Sequence, residues 1–156
     1  MLSPYLTFPF CEVLGRASAR GVEVRLFTPQ ANNKGIVRDY LLWAAARFGF
    51  SVRLYAGMSH LKAMLIDDST LVLGSSNFDF VSYHSQAELV AIATDPGLVA
   101  QFRHSVLDPD CAQASDAGKA EGWRGPAAFC ALKVAEAATW LTGMRLRAEL
   151  ARNGSG

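Results

Sequence analysis

An α/β fold, with strands and helices alternating in layers, is what this sequence predicts, and three observations carry that expectation. Stretches with period-two apolar alternation recur, as where Val22, Val24 and Leu26 alternate with Glu23, Arg25 and Phe27. Between the strands lie longer stretches that read as helices, closed by Gly21 and Gly49 in the position after a helix C-terminus. The composition is that of a chain able to bury a core: 51% hydrophobic and 19% charged over 156 residues, with a net charge of +1.

Taken in order, Met1 to Phe10 is apolar and holds Pro4 and Pro9, so it reads as a loop leaving a sheet. Cys11 to Ala19 reads as a helix, Val22 to Thr28 as a strand, and Pro29 to Gly35 as a polar loop. A second helix is expected from Ile36 to Phe48 and another strand from Ser51 to Tyr55. Gly57-Met58-Ser59 leads into two short strands, His60 to Asp67 and Thr70 to Leu73, joined by a turn at Asp68-Ser69. Glu88 to Thr94 is the next strand. Asp95-Pro96 then opens a helix to about Leu107, with aspartate at the cap and proline at the first helical position.

The pair of strands after Ser59 carries polar residues where apolar ones belong. The pattern is H-x-K, four residues, D, six residues, G-S-x-N, filled by His60, Lys62, Asp67, Gly74, Ser75 and Asn77. In a strand, residues two apart share a face, so His60 and Lys62 project together with Cα atoms about 6.5–7 Å apart. An antiparallel hairpin would set them beside Ser75 and Asn77, after a glycine that lets a ligand approach the backbone. One imidazole, one ammonium, one hydroxyl and one amide would then converge. Lys62 supplies fixed charge, Ser75 and Asn77 supply donors for non-bridging phosphate oxygens, and His60 can attack phosphorus or move a proton near neutral pH. No carboxylate pair suited to two metals lies in the cluster, so neither metal nor cofactor is expected. Simpler readings stand beside these: Lys62 as an edge-strand charge, Ser75 and Asn77 as turn formers, Glu88 as a solvated strand residue. His84 is read as lying in the loop after the signature, with a place bordering the pocket as the less favoured alternative, and His104 is expected on the surface.

The six fixed positions resemble the HKD signature of the phospholipase D superfamily. Gln86-Ala87-Glu88 is similar to that family's downstream acidic position. Pro4-Tyr5, Ala19-Arg20-Gly21-Val22 with Val24, and Ser76-Asn77-Phe78-Asp79 with Ser82 resemble the second half of bacterial cardiolipin synthases, over roughly residues 3 to 108. The resemblance implies a layered α/β/α half-domain with a mixed sheet, plus a C-terminal helix. It implies His60, Lys62 and Glu88 as catalytic residues, with Glu88 orienting His60. Lys62, Ser75 and Asn77 would bind phosphate, while Asp67 and Gly74 serve the structure. The implied reaction is phosphatidyl transfer through a phosphohistidine on a phosphatidylglycerol-like phospholipid. The family assembles one site from two motifs, and this chain holds one. The second is expected from a symmetry mate in a homodimer or from the other half of a longer synthase. The abrupt start favours the latter and makes His60 the expected general acid. Alternatives are a metal-independent nuclease-type phosphodiesterase, or an inactive half that acts only by association.

Near-neutral charge leaves no basic footprint for nucleic acid. Cys11, Cys111 and Cys130 are odd in number and widely spaced, which suits a reducing compartment rather than a disulfide framework or a zinc site. Neither a signal peptide nor a membrane span is apparent, so the expected location is peripheral, on the cytoplasmic side of a bacterial membrane. The expected organisation is a catalytic half at 1–108, a linker at 109–126, a helix at 127–152 and a disordered tail at 153–156. On that last helix Cys130, Val134, Ala137, Leu141, Met144 and Ala148 share a face expected to pack on the domain. The other reading lays Trp140, Leu141 and Met144 on a membrane, with Arg145, Arg147 and Arg152 at the headgroups.

Overall fold

A computed structural model describes residues 1–31, 34–57, 59–118 and 122–153, with side chains in the last helix described as far as Met144. Its elements are α1 (Phe10–Ala19), β1 (Arg25–Pro29), α2 (Gly35–Phe48), β2 (Ser51–Tyr55), β3 (Ala63–Ile66), β4 (Thr70–Gly74), α3 (Phe80–Ser85), β5 (Val90–Ala93), α4 (Pro96–Phe102), α5 (Asp108–Gln113), β6 (Ser115–Asp116) and α6 (Arg124–Asn153). A π-helical turn, Arg103–Leu107, joins α4 to α5.

β1 pairs parallel with β2, which pairs antiparallel with β6. β3, β4 and β5 form an antiparallel meander, with Met64 opposite Val72 and Val72 opposite Ile92. Leu2 joins the two groups of strands, bridging Phe27 of β1 on one side and Ala63 of β3 on the other. Its N–H donates to the Ala63 carbonyl at 2.8 Å, and the Ala63 N–H donates back at 3.0 Å. The result is one mixed sheet with a core on each face. Leu26 and Val52 point into a core built with α1, α2, Phe78, Phe80 and α6. Phe27, Tyr55, Ala63 and Leu71 point into a second core built with α4 and the chain that follows it. Strand alternation thus feeds two layers, giving the expected α/β/α arrangement.

Local chemistry explains the boundaries. Gly49 ends α2 at φ 77°, a conformation that favours glycine. Asp95 caps α4 by accepting from the Leu98 N–H, with Pro96 behind it. The β3–β4 turn takes in Asp67, Asp68 and Ser69, with Asp67 and Asp68 both at φ near +50°. Aspartate is among the few residues that tolerate the left-handed region.

Short shifts from expectation are β1, which begins only at Arg25, β3, which begins at Ala63 and leaves His60 and Lys62 before it, β5, which leaves out Glu88, and α3, a helix not expected. Two larger stretches differ as well. The 109–126 segment, read as a linker, contains most of α5, all of β6 and the start of α6. The widened π turn carries the helix past Pro109, whose missing N–H would interrupt a regular ladder. β6 is only two residues long, held by β2 and by the Arg53 side chain, which donates to the Ala114 carbonyl.

The second difference is the rotation of α6. Cys130, Val134, Ala137, Leu141 and Met144, expected to pack inward, are exposed, Val134 at 72%. The inward face is Gly125, Ala128, Leu132 and Gly143, with Phe129 wedged among Phe8, Tyr40 and Trp43. Close approach decides this. A Cβ at Gly125 would lie 2.3 Å from the Trp43 Cβ, so only glycine permits the crossing. Lys133 adds a cation–π contact with Phe8, its Nζ 3.8 Å from the ring centre, and donates to Glu136. The side chains of Arg145, Arg147, Ala148 and Arg152 lie outside the described residues. So does the expected tail, except Asn153, which ends the helix.

Candidate active site

The hairpin of β3 and β4 brings His60 and Lys62 to one end of the sheet, just before β3 begins. Lys62 is 4% exposed, while the His60 ring is open to solvent. The Lys62 Nζ lies 2.6 Å from Nδ1 and 3.0 Å from Nε2 of His60, and it donates to the His60 carbonyl at 2.8 Å. The two groups therefore share a face and touch. Whichever ring nitrogen accepts from the ammonium turns its lone pair toward Lys62. A phosphate oxygen could take the place of either acceptor.

Burial pushes the Lys62 ammonium below its ordinary range, opposed by the nearby carboxylates of Glu88 and Asp79. This cost to the charged form has a sign. The folded pKa lies below that of the unfolded chain, so the penalty is full at neutral pH and fades as pH rises from the folded pKa toward 10.5. Replacing Lys62 by methionine should therefore raise stability at neutral pH. That gain should shrink toward pH 10.5, read as the difference between the two proteins' urea midpoints. Equal midpoints at pH 7 would show that Lys62 carries no such penalty.

Ser75 and Glu88 meet across the β4–β5 pairing. The Ser75 hydroxyl donates to the Glu88 carboxylate at 2.5 Å and accepts from the Leu89 N–H at 3.1 Å, while the Ser75 N–H donates to the Leu89 carbonyl. Glu88 thus holds Ser75, rather than reaching His60 as the family pattern implies. The two sit just past the paired Gly74 and Val90, which makes them immediate neighbours. Gly74 makes this corner possible, because a Cβ there would lie 2.1 Å from the Leu89 carbonyl oxygen. Asn77 has a buried Oδ1 with no hydrogen-bond partner among the described residues, and its amide NH2 is the group able to donate to a phosphate oxygen. Asp67 lies at the far end of β3, in the turn.

Asp79 was missed as a site residue. It is 6% exposed, caps α3 by accepting from the Ser82 N–H at 2.8 Å, and holds its charge close enough to support Lys62. Its place two residues after Asn77 was the available signal. His84 sits at the end of α3, 3.8 Å from Glu136 of α6, and His104 lies on the surface beside Asp108.

The sequence model of the family described as cardiolipin synthase, PLD-like domain, matches residues 1–107. Cardiolipin synthase A of Pseudomonas putida is 32% identical over 104 residues, which are 64% of this chain and 21% of that protein. The chain spans about a fifth of the length of the curated relatives it matches. Among solved structures, the phospholipase D family member Nuc from Salmonella typhimurium superposes with a TM-score of 0.66 at 26% identity, covering 74% of this chain and 78% of that one. Phosphatidylserine synthase of Haemophilus influenzae gives 0.66 at 17% identity, covering 92% and 40%, which is a likeness of fold.

Proposed function

This chain belongs to the family of cardiolipin synthase PLD-like domains, and on that premise we propose that it supplies one half of a phosphodiester-transfer site. One observation carries the reading: a buried ammonium in contact with a solvent-facing imidazole, His60 against Lys62. In the proposed reaction, His60 pairs with a second histidine from a partner half or a second copy. One histidine nitrogen attacks phosphorus and a P–N bond forms. The P–O bond to the leaving alkoxide breaks, and the other histidine delivers its proton. An acceptor hydroxyl then attacks phosphorus and breaks the P–N bond, and its proton goes to the second histidine. Lys62 neutralises the non-bridging oxygens, the Asn77 amide donates to one of them, and Ser75 donates to another when its proton turns from Glu88 to the substrate. Glu88 positions Ser75 and, with Asp79, keeps Lys62 protonated. The substrate is a phosphatidylglycerol-like lipid and the acceptor a glycerol-type alcohol. The test is phosphatidyl transfer in the presence of a chelator, by the wild-type chain and by His60→Ala.

We place the protein peripherally, at the cytoplasmic face of the membrane. No described helix is long and apolar enough to cross a bilayer. The outward face of α6 is uncharged from Ala127 to Met144 and carries exposed Trp140, Leu141 and Met144. The full chain should float with anionic vesicles, and Leu141→Asp should reduce the floated fraction several-fold. A wild-type chain that stays with the soluble fraction removes this attachment.

A further inference from the structure

The face of the sheet that carries Lys62 does not end at the phosphate site. A trough of about 270 Å³ runs from Lys62 across all three strands of the meander, walled by Met64 of β3, Val72 of β4 and Val90 of β5. Phe10 of α1 and Phe78 close one side, their rings edge to face at 5.5 Å between centres. Among the described residues that line it, Lys62 alone is charged, and Lys62 is almost fully buried. The pairing of Met64 with Val72, and of Gly74 with Val90, sets these side chains on the face opposite the core that holds Leu71 and Ala63.

We propose that this trough is an acyl-chain subsite, which reads the apolar substituent next to the phosphodiester held at Lys62. The argument is one of charge complementarity. A ligand that satisfies both ends must be anionic at Lys62 and uncharged along the strands. A polynucleotide fails that condition, since its next phosphates would lie along an apolar wall with no cation to meet them. A phosphoglyceride meets it, because its single diester is followed at once by hydrocarbon. The volume is slightly below that of sites for whole small molecules, roughly 300–1,000 Å³, and suits one chain rather than an entire lipid. The subsite deepens the phosphatidyl-transfer reading and rests on it. Val90, 51% exposed on the last strand of the meander, is the position where a change touches the trough and little else.

The experiment compares two probes on the full chain by titration calorimetry: dihexanoyl phosphatidylglycerol as monomers, and its deacylated glycerophosphoglycerol headgroup. The acylated probe should bind at least tenfold more tightly. Val90→Asn should abolish that preference and leave headgroup affinity unchanged, while the near-isosteric Val90→Thr should reduce the preference partway. Equal binding of the two probes to wild type overturns the acyl subsite and leaves the phosphate site standing. Binding of neither overturns both. Sedimentation covers the rival occupant: if wild type is a dimer and Val90→Asn a monomer, the trough is a face between copies and the subsite falls.

Discussion

His60→Ala is expected to lose phosphatidyl transfer by a factor of about 10²–10⁴ if the residue acts as general acid, and by more if it is the nucleophile. The fold should be untouched. The ring is solvent-facing, and the contacts it makes are to Lys62, which keeps the His60 backbone carbonyl as an acceptor at 2.8 Å. Loss of activity should therefore come without a change in urea midpoint. A denatured phosphoenzyme trap separates the two roles. If His60 is the nucleophile, the acid-labile phosphate on this chain disappears with the substitution. If it is the acid opposite a different half, the phosphate appears on that half's histidine and turns over slowly, whereas in a symmetric dimer both histidines are His60 and no phosphoenzyme forms. Transfer at the wild-type rate by His60→Ala would refute the assignment outright. Transfer by a wild-type chain that sediments as a monomer would remove the need for a second motif.

Gly74→Ala should damage both stability and activity, although it adds one methyl group. The added Cβ would lie 2.1 Å from the Leu89 carbonyl oxygen and 3.0 Å from the Val90 Cα. Backbone cannot swing aside as a side chain can, so β5 must retreat from β4. Overpacking of this kind costs about 1–3 kcal/mol. The retreat also pulls at the bonds that fix the corner, Ser75 N–H to Leu89 carbonyl and Leu89 N–H to Ser75 hydroxyl. A displacement of about 1 Å at a reacting centre is enough for a 10²-fold loss, so transfer should fall by at least that factor. Gly35→Ala is the control. It opens α2 with nothing within 4 Å of the new Cβ, and both its urea midpoint and its rate should match wild type. A Gly74→Ala protein indistinguishable from that control would show that the close approach at this corner does not constrain the site.

The features that could be read from sequence are those whose cause is local. The hairpin of β3 and β4, the glycine stop of α2 and the Asp95 cap each depend on neighbours a few residues away. Of the six fixed positions, Asp67 lies in the turn of that hairpin, Gly74 ends its second strand, and His60, Lys62, Ser75 and Asn77 flank its open end, where the two-residue spacing still brings His60 and Lys62 together. What could not be read depends on distant partners. Glu88 binds Ser75 because β5 pairs with β4 in one register, and the spacing alone does not reveal that register. The exposed face of α6 is as apolar as the buried one, and the choice between them was made by glycines meeting Trp43 and His84. The short α5 and β6 lie in a stretch of small and polar residues whose composition reads as loop. Contacts with β2 and the second core order that stretch instead.

Leu2 has a consequence for how the protein acquires this architecture. β3 and β4 are linked by a short turn and pay little loop-closure entropy, so they are expected to assemble early, with β5 joining across the longer connection that holds α3. The bridge of Leu2 to Phe27 and Ala63 closes by far the longer loop and is expected to come late. His60 and Lys62 therefore ride on the quickly formed unit, and the slow event is its docking to the parallel strands through the backbone of a single leucine.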